Sequence, residues 1–275
     1  MRRSGVRAAT VALLITALGA GGCALAGPAS ASRPVGYAGP ARGLVTLRRG
    51  ATDESGTSTS RNWDGYVTYA STEGTDFTAI KSTWVQPAVT CEAANAWTVF
   101  WVGLDGWFDG TVEQGGSSAV CANKGGPAQY QLWWEMYPTN SIQTVLLIKA
   151  GDTVTASVTY SASVFTIKVR DVTSGDGFTR KERCASGLTC DRNSTEVITE
   201  DVGSYPAGTY FPLADYGTMD YTGISATDVA GHSGSISAKH WLNTAITESA
   251  GGVTYATVSK LRNQGRAFST TWKHR

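Results

Sequence analysis

Three short segments hold side chains that could do acid–base chemistry. If Gln129–Tyr137 is a strand, Leu132, Trp134 and Met136 face one way and Gln131, Trp133, Glu135 and Tyr137 the other. The first set suits a core. The second places a carboxyl between two aromatic rings, as a concave binding face would. Pro138 ends the strand because it has no N–H to give to a ladder. In Ser194–Val202, Glu196, Ile198 and Glu200 share one face, opposite Val197, Thr199 and Asp201. Taken alone, that face reads as a solvated sheet surface, with a polar cleft as the alternative. In Val112-Glu113-Gln114-Gly115-Gly116, Val112 and Gln114 share a face, and the two glycines allow another backbone to come close. A lone Gln is ordinarily a surface residue.

Other chemistries find less support. His232, His240 and His274 crowd toward the C-terminus and no His-Glu-x-x-His occurs, which excludes the common zinc-peptidase arrangement. Gly231-His232-Ser233-Gly234-Ser235 lacks the last glycine of a nucleophile elbow and reads as a turn. No Cys-x-x-Cys is present, so metal ligation by the cysteines is the lesser alternative to disulfides, and no cofactor is expected. Asn193-Ser194-Thr195 is a glycosylation sequon, relevant only in a host that uses it.

The elements that must position these residues are strands. Val154, Ala156, Val158 and Tyr160 alternate with Thr153, Thr155, Ser157 and Thr159, and Phe165, Ile167 and Val169 with Thr166, Lys168 and Arg170. Ser161-Ala162-Ser163 suggests a hairpin between them, and Ala150-Gly151-Asp152 a turn before them. Val253, Tyr255 and Thr257 suggest a further strand, and Thr98–Gly106 an apolar run ending at Asp105-Gly106. The one candidate helix, Ser237–Ile246, has only a partial apolar stripe of Ile236, His240 and Trp241. Many short strands with short turns indicate an all-β chain, a β-sandwich or jelly roll.

Composition agrees. Charged residues are 16% of the 275, against about a quarter in an average protein. The net charge of +1 favours neither a nucleic-acid partner nor a polybasic membrane surface. Arg2, Arg3 and Arg7, the apolar stretch Ala8 to Ala20 and the small residues Ala29-Ser30-Ala31 form a secretory signal over 1–31. Ala20-Gly21-Gly22-Cys23 loosely resembles a lipobox, so a lipid anchor on Cys23 is the lesser alternative. Eight of the 23 Lys+Arg and two of the 22 Asp+Glu lie through residue 61, which leaves 15 against 20, net −5, in 62–275. Residues 32–61 therefore read as a basic pro-segment, held by charge and released in acid, or as a linker. With Cys23 removed, four cysteines remain in an exported chain, where disulfides are the default. Cys184 and Cys190 are near neighbours around Gly187, which leaves Cys91 for Cys121.

Five blocks then occur in order: Asn62-Trp63-Asp64-Gly65, Trp101-Val102-Gly103-Leu104-Asp105-Gly106, Val112-Glu113-Gln114-Gly115-Gly116, Trp134-Glu135-Met136-Tyr137-Pro138 and Thr195-Glu196-Val197-Ile198-Thr199-Glu200-Asp201. Together they resemble the glutamic peptidases, the eqolisin family of acid proteases, over roughly Asn62 to Tyr221. The resemblance implies two stacked antiparallel sheets with a site on the concave face. It also implies that Gln114 and Glu200 are the catalytic pair, and that Trp63, Trp101, Asp105 and Glu135 line the cleft; the strand reading adds Trp133 and Tyr137 on the face of Glu135. Glu113 stands where the family usually has an apolar residue, Met136 where it has Trp, and the cysteines are placed differently.

These roles make chemical sense. Ionised Glu200 can take a proton from water and return it to the leaving amine. The Gln114 amide offers a carbonyl to orient that water and an NH₂ to stabilise an oxyanion. A carboxyl base with a reference pKa of roughly 4.3 suits an enzyme working in acid. The expected protein is a secreted monomer acting on protein or peptide substrates, with no membrane attachment after processing. Two rivals use the same residues. One is a β-sandwich glycoside hydrolase with Glu135 and Glu200 as acid and nucleophile, stacking sugars on Trp63, Trp101 and Trp133. The other is a lectin-like module that binds carbohydrate without turnover.

Overall fold

The computed structural model describes residues 56–70, 75–204 and 209–274. The signal at 1–31, Cys23 and the basic stretch up to residue 55 lie outside the described residues.

The chain runs through Gly56–Ser60 (β1), Trp63–Ala70 (β2), Phe77–Val85 (β3), Ala96–Leu104 (β4), Val112–Cys121 (β5), Ala128–Tyr137 (β6), Gln143–Ile148 (β7), Thr153–Ser161 (β8) and Val164–Asp171 (β9). It continues through Gly177–Glu182 (β10), Ser194–Glu200 (β11), Gly203–Ser204 (β12), Thr209–Tyr210 (β13), Thr218–Asp228 (β14), Ser233–Gly234 (β15), Trp241–Ala250 (β16), Val253–Val258 (β17) and Phe268–Trp272 (β18). A single 3₁₀ turn at Asn263–Gly265 is the only helical piece among the described residues. The all-β expectation holds, and so does the hairpin: Ala162 and Ser163, at φ 50° and 61°, turn β8 into β9. The helix expected at Ser237–Ile246 is absent. Trp241–Ala250 is instead an inner strand, paired with β2 along Trp241–Ile246 and with β1 along Thr244–Glu248.

Hydrogen bonding links the strands in the order β10-β9-β8-β3-β14-β18-β17-β16-β2-β11-β4-β5-β6-β7. The path folds back on itself, so that β5 packs on β8 and β9, β4 on β3 and β8, and β6 on β9 and β10. The result is a sandwich of antiparallel layers. Between the layers lies the larger core, which takes Phe77, Ile80 and Trp84 from β3, Phe100 and Val102 from β4, and Leu132, Trp134 and Met136 from β6. From β8 and β9 it takes Val154, Val158, Phe165, Ile167 and Val169, the alternation legible in the sequence. Burying each such side chain stabilises the fold by roughly 1.5–3 kcal/mol before entropy is counted. Both expected disulfides are present, Cys91–Cys121 and Cys184–Cys190. Among the strands of the described residues, one pairing breaks the antiparallel rule: β1 runs parallel to β16, from Gly56 opposite Thr244 to Ser60 opposite Glu248.

Candidate active site

The outer faces of β2, β11, β4, β5 and β6 form a second surface, set by register. Trp63 pairs with Glu200, Glu200 with Val99, Val99 with Ser118 and Ser118 with Gln131. The next row is Gly65, Ile198, Trp101, Gly116 and Trp133. The row after that is Val67, Glu196, Gly103, Gln114 and Glu135. Paired residues share a face, so Gln114, Glu135, Glu196 and Glu200 all stand on this one. Around them Trp63, Val67, Val99, Trp101, Trp133 and Ile198 form a separate apolar cluster. The Glu196–Ile198–Glu200 face is thus a buried polar floor and not the solvated surface expected of it alone; Glu200 is 3% exposed and Glu196 0%.

Glu200 is held at both oxygens. Trp101 Nε1 donates to Oε2 at 2.9 Å and Asn62 Nδ2 to Oε1 at 2.7 Å. Behind it, Thr199 Oγ1 lies 2.9 Å from the Tyr221 hydroxyl and 2.8 Å from Thr270 Oγ1, while Tyr221 also donates to the Ile198 carbonyl. The end of β11 is therefore fixed to the other layer. Burial pushes the Glu200 carboxyl well above the usual carboxylate range, the charges of Asp201 and Glu135 push the same way, and the indoles of Trp101 and Trp63 oppose them.

Gln114 donates from Nε2 to Glu135 Oε2 at 2.8 Å, and both side chains are buried. That bond fixes which end of the amide points where, leaving one N–H and the carbonyl Oε1; the latter has no partner among the described residues. The row of Trp101 separates Gln114 from Glu200. Its indole reaches both ways: Nε1 meets Glu200, while a Cβ placed on Gly103, beside Gln114, would come 2.9 Å from Trp101 Cζ3. Gly116 is required for a different reason, since a Cβ there would sit 1.9 Å from the Phe100 carbonyl oxygen.

Of the residues expected along the cleft, Trp63, Trp101 and Trp133 are buried members of the apolar cluster, and Trp63 meets Trp101 edge to face at 5.3 Å. Tyr137 packs at the edge of the cluster. Asp105 belongs to a second acidic group with Asp109, Glu113 and Glu196. Burial first, then Asp109, raises the Asp105 pKa to about 8. Glu113 and Glu196 are also raised well above the carboxylate range, chiefly by burial and then by their acidic neighbours. Asp105 Oδ1 accepts the Asn193 N–H at 3.0 Å, tying the end of β4 to the start of β11. Asn62 is the residue that sequence reasoning passed over; its place directly before Trp63, in the first of the five blocks, was the available signal.

The profile of the Peptidase A4 family matches residues 61–266. No curated protein sequence is similar enough to count as a match. Among solved structures, scytalido-glutamic peptidase with a peptide-based transition-state analogue superposes with a TM-score of 0.65 at 22% identity, covering 78% of this chain and 98% of that one. The eqolisin SCP-B, in complex with the tripeptide Ala-Ile-His, gives 0.64 at 21% identity over 78% and 98%. Aspergilloglutamic peptidase from Aspergillus niger gives 0.54 at 25% identity, over 65% of this chain and 99% of that one.

Proposed function

Because the chain belongs to the Peptidase A4 family, we propose that it is a secreted acid endopeptidase whose catalytic pair is Glu200 and Gln114. The observation that carries this reading is the pair's setting on one buried face: a carboxyl fixed by two N–H donors, and a carboxamide whose orientation a second carboxyl fixes. Ionised Glu200 takes a proton from the attacking water. Gln114 Oε1 orients that water, its free N–H stabilises the oxyanion, and Glu200 returns the proton to the leaving amine. Glu135 acts through Gln114 as a positioning residue. This commitment of Glu135 to the amide sets the reading apart from a glycosidase, which would need it as acid or nucleophile.

Proteins and peptides are the substrates in this reading; two structural relatives are seen with a peptide-based analogue and a tripeptide. Two disulfides support export. The enzyme acts as a monomer without a cofactor. Activity requires the ionised form of Glu200: burial, the largest effect, and the charges of Asp201 and Glu135 oppose it, while the N–H donors favour it, so the acid limb of the pH profile reports this carboxyl.

The test is digestion of a denatured protein at acidic pH with pepstatin present, comparing wild type with Glu200→Gln and Gln114→Ala. Cleavage by the wild type and loss in Glu200→Gln are expected. Gln114→Ala should lose about 100-fold or more in kcat, the usual effect of losing one oxyanion donor, about 3 kcal/mol. Wild-type rates in either variant would refute the pair, and polysaccharide cleavage with Gln114 dispensable would establish the glycosidase.

A further inference from the structure

We propose that Asn62 is a positioning residue for Glu200, and that Ser60, the last residue of β1, holds it in place. The inference rests on the reading of Glu200 as the catalytic base. Asn62 is fully buried, and its Nδ2 reaches Glu200 Oε1 across 138 positions of sequence. A carboxamide N–H can only donate, so the contact suits an oxygen that carries no proton. With Trp101 Nε1 on the other oxygen, each carboxylate oxygen has one fixed donor, which sets the plane of the group and the direction of its remaining lone pairs.

The other end of the carboxamide is fixed by Ser60. Ser60 Oγ lies 3.3 Å from Asn62 Oδ1 and accepts from the backbone N–H groups of Asn62 and Trp63 at 3.4 and 3.2 Å. Ser60 owes its position to the parallel pairing of β1 with β16. The chain from Gly56 thus supports the site although it lies before the first of the five sequence blocks. The groups that act on Glu200 are Asp201 beside it in the chain, Glu135 on β6 and the Tyr210 phenol on β13, with the Arg61 guanidinium over the Tyr210 ring at 4.4 Å. The acids oppose a charge on Glu200. Asn62 favours that charge without neutralising it, so the carboxylate remains a base.

The experiment is the pH dependence of kcat/KM for peptide cleavage by the processed enzyme, for wild type, Asn62→Ala, Ser60→Ala and Glu200→Gln. Loss of one hydrogen bond to a charged group should move the acid limb of Asn62→Ala upward by about 1–2 pH units, with KM nearly unchanged. Ser60→Ala should move it less, in the same direction. If Asn62→Ala fails to fold, Asn62→Asp keeps the size and removes the obligate donor, and its acid limb should also lie above that of the wild type. An unmoved acid limb in the folded Asn62 variant, with Glu200→Gln inactive, would overturn this inference and leave the catalytic pair intact. Activity in Glu200→Gln would overturn the pair itself.

Discussion

Replacing Asp105 by Asn should flatten the pH dependence of stability. Asp105 is fully buried, and its pKa stands near 8 in the folded protein against an ordinary 3.8. The unfolded chain therefore ionises it in mild acid, while the folded protein keeps it protonated. Its stabilising contribution is complete below about pH 4 and is lost as the pH rises through about 8. A span of about four units at about 1.4 kcal/mol each gives about 6 kcal/mol, comparable to the whole stability of many domains. A domain of this size moves about 2–4 °C per kcal/mol, so this carboxyl, titrating together with its acidic neighbours, is expected to lower Tm by about 10–25 °C between pH 4 and 8. Asn retains the oxygen that accepts the Asn193 N–H and carries no ionisable proton. Tm would be measured by circular dichroism across that range in the Glu200→Gln background, chosen so that self-digestion is not expected. The wild type should melt progressively lower, and Asp105→Asn should retain only the slope due to Glu113, Glu196 and Asp64, also raised by burial. A flat wild-type profile, or equal slopes in the two proteins, would refute the reasoning.

Four other outcomes are expected. Glu135→Ala should lower kcat about 10–100-fold with little change in KM, because Gln114 loses its tether, whereas Glu135→Gln keeps an acceptor oxygen and most of the activity. Gly116→Ala should cost at least about 3 kcal/mol in urea unfolding, since its Cβ would meet the Phe100 carbonyl and force β4 and β5 apart. Replacing Cys91 and Cys121 together by Ser should cost about 3–4 kcal/mol, the loop-entropy figure for their separation of 30, and more than the same change at Cys184 and Cys190 with a separation of 6. N-terminal sequencing of the processed enzyme should find its first residue at or before Gly56, and protein beginning at Asn62 should be inactive.

What the sequence made legible was local. The alternation in Thr153–Tyr160 and Phe165–Val169 gave strands, and the two faces of Gln129–Tyr137 were assigned as found, because period and turn residues act over a few positions. Ser237–Ile246 misled because Trp241–Ala250 is an inner strand. Burial alternates from Thr244 to Ser249, but the buried positions include the polar Asn243, Thr244 and Glu248, so residue type does not show the alternation. Glu200 looked solvated because nothing near it in sequence covers it; Trp101 and Trp63 meet it from two other strands. For Asn62 the only mark in the sequence was its place in the first of the five blocks, because its partner lies 138 residues away.

That separation also orders events during synthesis. β2 lies between β11 and β16, so its two edges close only after Ser194–Glu200 and then Trp241–Ala250 have emerged. A nascent chain ending before residue 241 holds Glu200 and Gln114 but leaves β1 without the strand it pairs with. Pairings this far apart in sequence are slow to form. Until they do, β2 presents an open edge that favours association with other chains. Folding of the last eighth of the polypeptide therefore acts as a timer: the assembled site arrives late, when the chain that carries it is nearly complete.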